Sequence, residues 1–429
     1  MIDTLRLTVP SSCFYEPALE MLLRLQSKIQ RTNYSGDRVD WSILSGVALP
    51  SWAEGFQLVV GDRVTVEASP KIYQGHNIDG PDDLLTAASN ILNFIFGDIF
   101  RLESCMWPRP GRWYVSRVDV AYQHLFDSFE ALDMWMDTVA GVQRGQRRAG
   151  VELASPDYDG RDFSVDAMPS GRTLYIGKGS RLRVGKIYAK GRDFRKHPPR
   201  CLKFDPETVA AIAQELDPVA RFELQLRARS ISRNAVKFGI VPAHFGSLGP
   251  TEYADNVAKE LKKSGYLVLH SVNRKDHITY FPVELLDKKL DLKSLWEQEF
   301  SHFFARESAM DDAKLFRVIF DIAPSPKQAQ AALNFLMLIR TQGFAYARST
   351  VSKSAYYRHR SLLLAAGLSD AVLQDGAPLV RVPIDPVVVR DFRASRTFAR
   401  SLGFIEQAHK ASLPLVLERL RSEFFKVAA

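Results

Sequence analysis

Tyr188 is the residue of this sequence best placed to act as a nucleophile. It lies in GKIYAKGRDF, where Gly185 and Gly191 bracket it and Lys186 and Lys190 flank it. An unperturbed tyrosine has a pKa of about 10, so a tyrosine nucleophile needs nearby cations that stabilise its phenolate. The spacing therefore indicates a candidate nucleophile, and the structural alternative is an aromatic side chain at a strand edge.

A separate stretch of the sequence, well before Tyr188, carries candidate metal ligands. Gln74 and His76 in SPKIYQGHN are separated by one residue, so on an extended backbone both side chains face the same side. In that conformation the two residues could bind one divalent ion.

Two carboxylates interrupt apolar strands. Asp119 lies in SRVDVAY and Glu223 in VARFELQLR, and a buried carboxylate is costly unless it is paired or bound to metal. Oxygen ligands of this kind suit Mg²⁺ or Mn²⁺ better than zinc. Arg117 and Arg221 each lie two residues before a carboxylate, so structural ion pairs are the alternative interpretation.

Other enzyme classes leave no motif in the sequence. A Walker loop, GxGxxG, HExxH and GxSxG are all missing, which disfavours nucleotide hydrolases, dinucleotide enzymes, zincins and serine hydrolases. The three cysteines (Cys13, Cys105 and Cys201) form no CxxC pair, so neither a disulfide framework nor a zinc knuckle is supported.

Alternating apolar and polar residues predict the strands that must carry these groups. Such patterns recur around residues 5–9, 56–60, 64–68, 113–122, 163–168 and 220–228. Helical spacing separates them at 81–95 and 127–139. We therefore expect an α+β protein whose catalytic domain, residues 1–245, is built on a largely antiparallel sheet.

The rest of the chain reads as helical. Helices are expected near 253–264, 292–305, 327–341 and 413–425, which predicts a helical connector over 246–309 and a basic C-terminal domain over 310–429. The helix at 327–341, the turn with Gly343 and a basic helix from Ser352 resemble a helix-turn-helix, and 378–386 could form its wing strand.

The charge of the chain is concentrated in two places. The 429 residues carry a net charge of +8, and 46% of them are hydrophobic, which is ample for buried cores. Between residues 171 and 203 eleven Lys/Arg accompany one acid, with aromatic and glycine residues interleaved, and the residues from Met310 onward hold +7. Basic, aromatic-rich segments favour a nucleic-acid partner over a merely solvated surface. No apolar run is long enough to span a membrane, so a cytoplasmic location is expected.

The same residues carry a family resemblance. The chain resembles the replication initiator of filamentous bacteriophages, the gene II protein family. The matching stretches are MIDTLRL, ASPKIYQGHNIDGPDDL, RVDVAY, KIYAKG, VARFELQLR, SKSAYYRHRSLLLAAGL and PLVRV. They occur in the expected order over nearly the whole chain.

The resemblance implies a strand-specific nickase of rolling-circle replication. Tyr188, with Lys190, would be catalytic: it would attack the scissile phosphate of supercoiled origin DNA, stay joined to the 5′ phosphate and leave a 3′ hydroxyl for host polymerase. The displaced single strand would later be cut and circularised without ATP. Host helicase and polymerase are implied partners in the bacterial cytoplasm.

A metal site is also implied by the resemblance. The family is distantly similar to nickases with a His-hydrophobe-His (HUH) motif, from which Gln74 and Gly75 depart. His76, Asp119 and Glu223, with Gln74, would hold Mg²⁺ or Mn²⁺ and polarise the phosphate. A separate C-terminal product starting at Met310 is a further hypothesis.

DNA contacts are expected in both halves of the chain. The predicted DNA-binding residues are Lys178, Arg181, Arg183, Lys186, Arg192, Tyr357, Arg358 and Arg360. Two alternatives to the enzyme remain open: a non-catalytic DNA-binding regulator or packaging factor, and an RNA-binding protein.

Overall fold

The computed structural model describes most of the chain. The described residues are 1–28, 31–32, 38–39, 43–45, 56–76, 78–141, 143–144, 147–148, 150–153, 172–176, 180–199, 202, 205–273, 276–300, 312–366, 368, 373 and 396–426.

The strands of these residues follow the chain in this order: β1 Ile2–Pro10, β2 Arg31–Thr32, β3 Arg38–Val39, β4 Ile43–Ser45, β5 Phe56–Val60, β6 Arg63–Ala68, β7 Tyr114–Leu125, β8 Gln143–Arg144, β9 Arg147–Arg148, β10 Gly150–Leu153, β11 Arg172–Ile176, β12 Arg183–Ala189, β13 Val219–Arg227, β14 Leu269–Asn273 and β15 Asp276–Pro282. The helices are α1 Glu16–Lys28, α2 Leu84–Leu92, α3 Phe129–Gly141, α4 Lys190–Lys196, α5 Pro206–Leu216, α6 Ala228–Arg233, α7 Pro250–Lys263, α8 Val283–Lys289, α9 Leu292–Phe300, α10 Asp312–Ile322, α11 Pro326–Gln342, α12 Phe344–Ser349, α13 Lys353–Ala365 and α14 Arg396–Lys426. A π-helical stretch, Asn93–Ile99, extends α2.

One antiparallel sheet organises the N-terminal half. Its strand order is β10-β11-β12-β13-β7-β1-β6-β5-β4, and β15 adds a short pairing to the start of β7. The predicted strands near 5–9, 56–60, 64–68, 113–122 and 220–228 are confirmed as β1, β5, β6, β7 and β13. The strand predicted at 163–168 lies outside the described residues. Together with the mostly helical C-terminal region, this sheet confirms the α+β prediction.

The alternation along the strands gives the sheet two unlike faces. On β13, Phe222, Leu224 and Leu226 belong to the main hydrophobic core, to which α2 and its π-helical extension also contribute. Successive side chains point to opposite faces, so Arg221 and Glu223 lie on the other side. We call this second side the polar face.

The connector predicted over 246–309 is not purely helical. Helices α7, α8 and α9 are present, but β14 and β15 form a hairpin between them, and Phe281 of β15 pairs with Val115 of β7. In addition, Trp296 of α9 packs 5.9 Å from the ring of Phe222. The prediction of a helical connector is therefore wrong for Leu269–Asn273 and Asp276–Pro282, which are strands.

The C-terminal helices α10 to α13 have a separate core that includes Leu336, Ile339 and Tyr356. The helices expected at 327–341 and from Ser352 are confirmed as α11 and α13. Gly343, with φ of +83°, ends α11 where the turn was predicted. However, the short helix α12, rather than a turn alone, fills most of the interval up to α13. The predicted wing strand and Met310 lie outside the described residues.

The last helix, α14, returns to the N-terminal half. It is much longer than the predicted 413–425, and its Ile405 is buried against a cluster that includes Phe194 of α4 and Leu216 of α5. None of the helices that the structure describes combines the length and the apolar character of a membrane span.

Candidate active site on the polar face

Tyr188 lies at the end of β12, one residue before the last residue of that strand, and α4 follows directly. Its hydroxyl donates a hydrogen bond to Oε1 of Glu223 at 2.6 Å. Strand register produces this contact, because Tyr188 is opposite Arg221 and Lys186 is opposite Glu223 on β13. The Tyr188 residue is partly exposed, whereas Glu223, the acceptor of its hydroxyl, is buried.

The electrostatic surroundings of Tyr188 differ from the predicted ones. Burial, followed by the negative charge of Glu223, raises the pKa of Tyr188 well above its usual value. The expectation that flanking lysines stabilise a phenolate is thus wrong for this arrangement. The phenol is instead held neutral, with its proton directed at a carboxylate.

The two flanking lysines have different partners. Lys186 lies 3.3 Å from Oε2 of Glu223, and that carboxylate raises the pKa of Lys186. Lys190 is fully buried and donates to Asp193 at 2.7 Å, with its Nζ 6.0 Å from the centre of the Tyr188 ring. Lys186 is therefore the lysine that shares the Glu223 carboxylate with the phenol.

A buried ion network holds the Glu223 carboxylate that accepts the Tyr188 hydrogen bond. Nε of Arg221 donates to Oε1 of Glu223 at 3.1 Å, and Arg221 also binds Asp3 of β1. Asp3 in turn binds the ammonium of Lys71, in the turn that follows β6. Both cations have side chains that are 0% exposed. This chain of contacts links four of the sequence stretches that carry the family resemblance. It runs from Lys71 through Asp3, Arg221 and Glu223 to Tyr188.

The charges in this network depend on one another. Burial by itself raises the pKa of Asp3, but Lys71 and Arg221 outweigh it and hold that pKa below its usual range. Burial lowers the pKa of Lys71 to about 8, although Asp3 opposes the shift. Two buried cations thus share a single carboxylate that must stay ionised.

Sequence reasoning missed Asp3 and Lys71 as parts of this arrangement. A signal was present in the sequence for Asp3, the one acid in the segment IDTLRLTVP that forms β1. Lys71 follows a strand and precedes the QGH segment, so its sequence position predicts a surface side chain.

Asp119 lies in a second ion network on the same face. Nε of Arg117 donates to Oδ1 of Asp119 at 2.8 Å, and Nη1 donates to Glu67 at 2.7 Å. Burial raises the pKa of Asp119, and the Arg117 guanidinium opposes that shift. Both predicted carboxylates are thus paired with the arginine two residues before them, as the ion-pair alternative expected.

The QGH segment has a different backbone from the predicted one. It lies in a turn in which the N–H of Gln74 donates to the carbonyl of Lys71 at 2.9 Å, and Gly75 has φ of +73°. An extended backbone that aligns the side chains of Gln74 and His76 is therefore wrong. Oε1 of Gln74 is buried and has no hydrogen-bond partner among the described residues.

Helix α14 covers this turn. Nε2 of His76 lies 3.2 Å from Oε1 of Glu406, and the His76 side chain is 0% exposed. The ring of His409 packs on Gly75, where an added Cβ would lie 2.3 Å from its Cγ. Burial lowers the pKa of His76, which favours the neutral ring.

The predicted metal ligands are not assembled into a metal centre. His76 contacts Glu406 and the backbone of Ile78, whereas Glu223 and Asp119 are neutralised by cations on β12, β13 and β7. Among the described residues, no group of three or more His, Cys, Asp and Glu side chains could hold a metal ion. The residues in this arrangement do not fit Mg²⁺ or Mn²⁺.

The predicted DNA-binding residues that the structure describes lie at or just before β12, on α4 and on α13, and Lys186 of β12 is the one that contacts Glu223. Arg181 and Arg183 are exposed near the start of β12, where Arg183 lies 3.0 Å from Glu299, and Arg192 is on α4. Lys178 lies outside the described residues. Tyr357 and Arg358 are exposed on α13, with Arg360 two residues further along the same helix.

The fold and the polar face together define an α+β protein built around a tyrosine, a carboxylate acceptor and flanking cations. Residues 1–243 match the family model that describes the N-terminal part of the phage replication-associated protein, the gene II protein. This match covers more than half of the 429 residues, so the chain belongs to that family, as the resemblance predicted. No curated protein and no solved structure matches the chain significantly.

Proposed function

We propose that the chain initiates phage rolling-circle replication by nicking one strand of the origin through Tyr188. The observation that carries this proposal is the 2.6 Å hydrogen bond from the Tyr188 hydroxyl to Glu223. A nucleophile within hydrogen-bond reach of a general base, which is itself oriented by a third group, is the usual arrangement for covalent catalysis. Arg221 is that third group here.

The chemistry assigns Glu223 a role other than metal ligand. Glu223 accepts the phenolic proton while Oη of Tyr188 bonds to the scissile phosphorus and the bond from phosphorus to the 3′ oxygen breaks. The 3′ oxygen takes up a proton from solvent, and the 5′ phosphate stays on the tyrosine. General base catalysis of this kind contributes about 10² to 10⁴-fold.

Lys186 supplies positive charge beside the reacting phosphate. Its ammonium lies 3.3 Å from Oε2 of Glu223. It can therefore stabilise the negative charge that develops on the Tyr188 oxygen as the phenol loses its proton. Attack by a 3′ hydroxyl on the phosphotyrosine reverses the first step, and the displaced single strand is thereby circularised without ATP. The free 3′ end is extended by host polymerase while a host helicase opens the duplex in the host cytoplasm.

A requirement for Mg²⁺ or Mn²⁺ stays a prediction. An ion at Glu223 or Asp119 would compete with Lys186 and Arg117 for the same oxygens. No step described above depends on such an ion.

The test is covalent capture on supercoiled origin DNA. We expect wild-type protein to produce relaxed circles and a protein–DNA adduct, and Tyr188→Phe to produce neither. Tyr175→Phe is the matched control, because Tyr175 is opposite Lys186 on the next strand and shares the polar face. An adduct that survives Tyr188→Phe and disappears with Tyr175→Phe would overturn the assignment.

The competing function is a DNA-binding regulator without catalysis. It would give origin binding with no relaxed circles for wild-type protein under any divalent ion. The Tyr188–Glu223 contact favours the enzyme, since binding alone does not need a proton acceptor for the phenol.

A further inference from the structure

A cleft on the polar face lies away from Tyr188. It has a volume of about 410 Å³, and among its lining residues are four arginines and one aromatic ring: Arg6 of β1, Arg63 of β6, Arg117 of β7, Arg227 of β13 and Tyr280 of β15. Five strands distant in sequence contribute one of these side chains each, so the sheet itself builds the cleft.

Positive charge is in excess at this cleft. Glu67 lies 3.6 Å from Arg6 and 2.7 Å from Arg117, which also binds Asp119. Arg63 and Arg227 have no carboxylate within 4 Å among the described residues. Four guanidinium groups therefore share two carboxylates.

The two guanidinium groups without a carboxylate are held in place by neutral partners. Arg63 donates to the carbonyl of His270 at 2.7 Å and lies 5.6 Å from the centre of the Tyr280 ring. Nε of Arg227 donates to Oε1 of Gln225 at 3.2 Å. These contacts orient the groups without neutralising them, so each retains donors for an anion.

The cleft continues the surface that carries the reacting tyrosine. Arg221, opposite Tyr188, and Arg227 lie on the same strand and the same face, six residues apart. At about 3.3 Å per residue the two positions are roughly 20 Å apart. That length corresponds to about six nucleotides at the rise of B-DNA, and to fewer in a stretched single strand.

We propose that this cleft binds a backbone phosphate of the DNA strand that enters the active site. The proposal rests on the proposed nicking function for the identity of that strand. Guanidinium groups bind phosphate through paired hydrogen bonds, and the Tyr280 ring offers a surface for a base. The cleft positions the strand a few nucleotides from the scissile bond without reading its sequence.

The test measures binding of a fluorescent single-stranded oligonucleotide that contains the nick site, across a NaCl titration, in the full chain with Tyr188→Phe to prevent cutting. Arg63→Gln and Arg227→Gln should each weaken binding roughly tenfold at low salt. Each should also reduce the slope of log K against log salt by about 0.7. The double variant should reduce it by about 1.4.

The matched control is Arg112→Gln. Arg112 also donates to a backbone carbonyl, that of Gly265 at 2.6 Å, and lies 5.1 Å from a tyrosine ring, but it does not line the cleft. Its substitution should leave affinity and slope unchanged. Arg227→Lys keeps the charge and should retain the wild-type slope, which separates loss of charge from damage to the fold.

Cleavage distinguishes failure of this proposal from failure of the proposed function. With intact Tyr188, the Arg63 and Arg227 variants should raise KM for the oligonucleotide while kcat stays near the wild-type value. Wild-type affinity and slope in the double variant would overturn the phosphate site, whether or not Tyr188 forms an adduct. Absence of any adduct, with a reduced slope, would overturn the nickase and leave the cleft as a DNA-binding site.

Discussion

The two ends of the polar face use charge in opposite ways. At the Tyr188 end, Arg221 and Lys71 are fully buried and share Asp3, and Glu223 balances Arg221 and Lys186. At the cleft end, the partners of Arg63 and Arg227 among the described residues are neutral. Charges that are paired with one another in a buried network fix the position of the phenol, whereas cations without a carboxylate partner remain available to an external anion.

This difference in charge pairing matches the role proposed for each end of the polar face. A general base must lie within about 3 Å of the proton it removes, which demands a rigid frame. A phosphate contact tolerates small displacements, because a charged group acts over several ångströms. The comparison makes predictions that differ in size and in the property affected.

The largest effect should come from Asp3→Asn. It leaves the buried cations Lys71 and Arg221 without a carboxylate between them, and breaking a buried ion pair costs about 3–5 kcal/mol. Urea unfolding should show this loss of stability, and cleavage should fall with it. Asp62→Asn, at an exposed turn between β5 and β6, should change stability by less than about 0.5 kcal/mol.

Acid should reduce the difference between wild-type protein and Asp3→Asn. Because the pKa of Asp3 is lower in the folded than in the unfolded state, its stabilising contribution is complete above the unfolded value of about 3.9. It is lost as the pH falls from there through the folded pKa. A stability gap that stays constant between neutral pH and a pH of about 3 would show that the buried charge is not the cause.

The next effect should be catalytic. Glu223→Gln keeps a hydrogen-bond acceptor for Tyr188 but removes the base, so the nicking rate should fall by about 10² to 10⁴-fold. Oligonucleotide affinity should change little, since the cleft is untouched. Asp119→Asn, on the same face but bonded to Arg117 and Gln225, is the comparison variant; an equal loss of rate in both would favour a shared role for the two carboxylates.

The smallest effect concerns stability at the cleft. Arg63→Gln and Arg227→Gln remove no ion pair among the described residues, so their free energies of unfolding should lie within about 1 kcal/mol of the wild-type value. Thermal unfolding without DNA measures this directly. A loss as large as that of Asp3→Asn would mean that both ends are structural, and the comparison would fail.

The sequence predicted the elements better than their contacts. Strands β5, β6 and β13 alternate cleanly, so their positions follow from period-two patterns, and Tyr188 stood out through its flanking lysines and glycines. The register that brings Tyr188 to Glu223 depends on pairing between residues 35 positions apart, which no local pattern encodes.

Long-range contacts also explain the remaining errors. Lys71 is buried because it pairs with Asp3, which is 68 residues away in sequence. His76 is covered by Glu406, which is 330 residues away. The backbone of the QGH turn depends on Gly75 adopting positive φ, whereas the spacing of Gln74 and His76 was interpreted on an extended backbone.

The return of α14 to the turn at Gly75 affects how the protein can be divided. A fragment that stops at residue 243, where the family match ends, would lose the strand β15 beside β7, Trp296 beside Phe222, and the helix that covers His76. Apolar surface and the QGH turn would then face solvent. The smallest piece that keeps its interior intact is therefore not the piece defined by sequence similarity, and shortened proteins made for crystallisation should retain both α9 and α14.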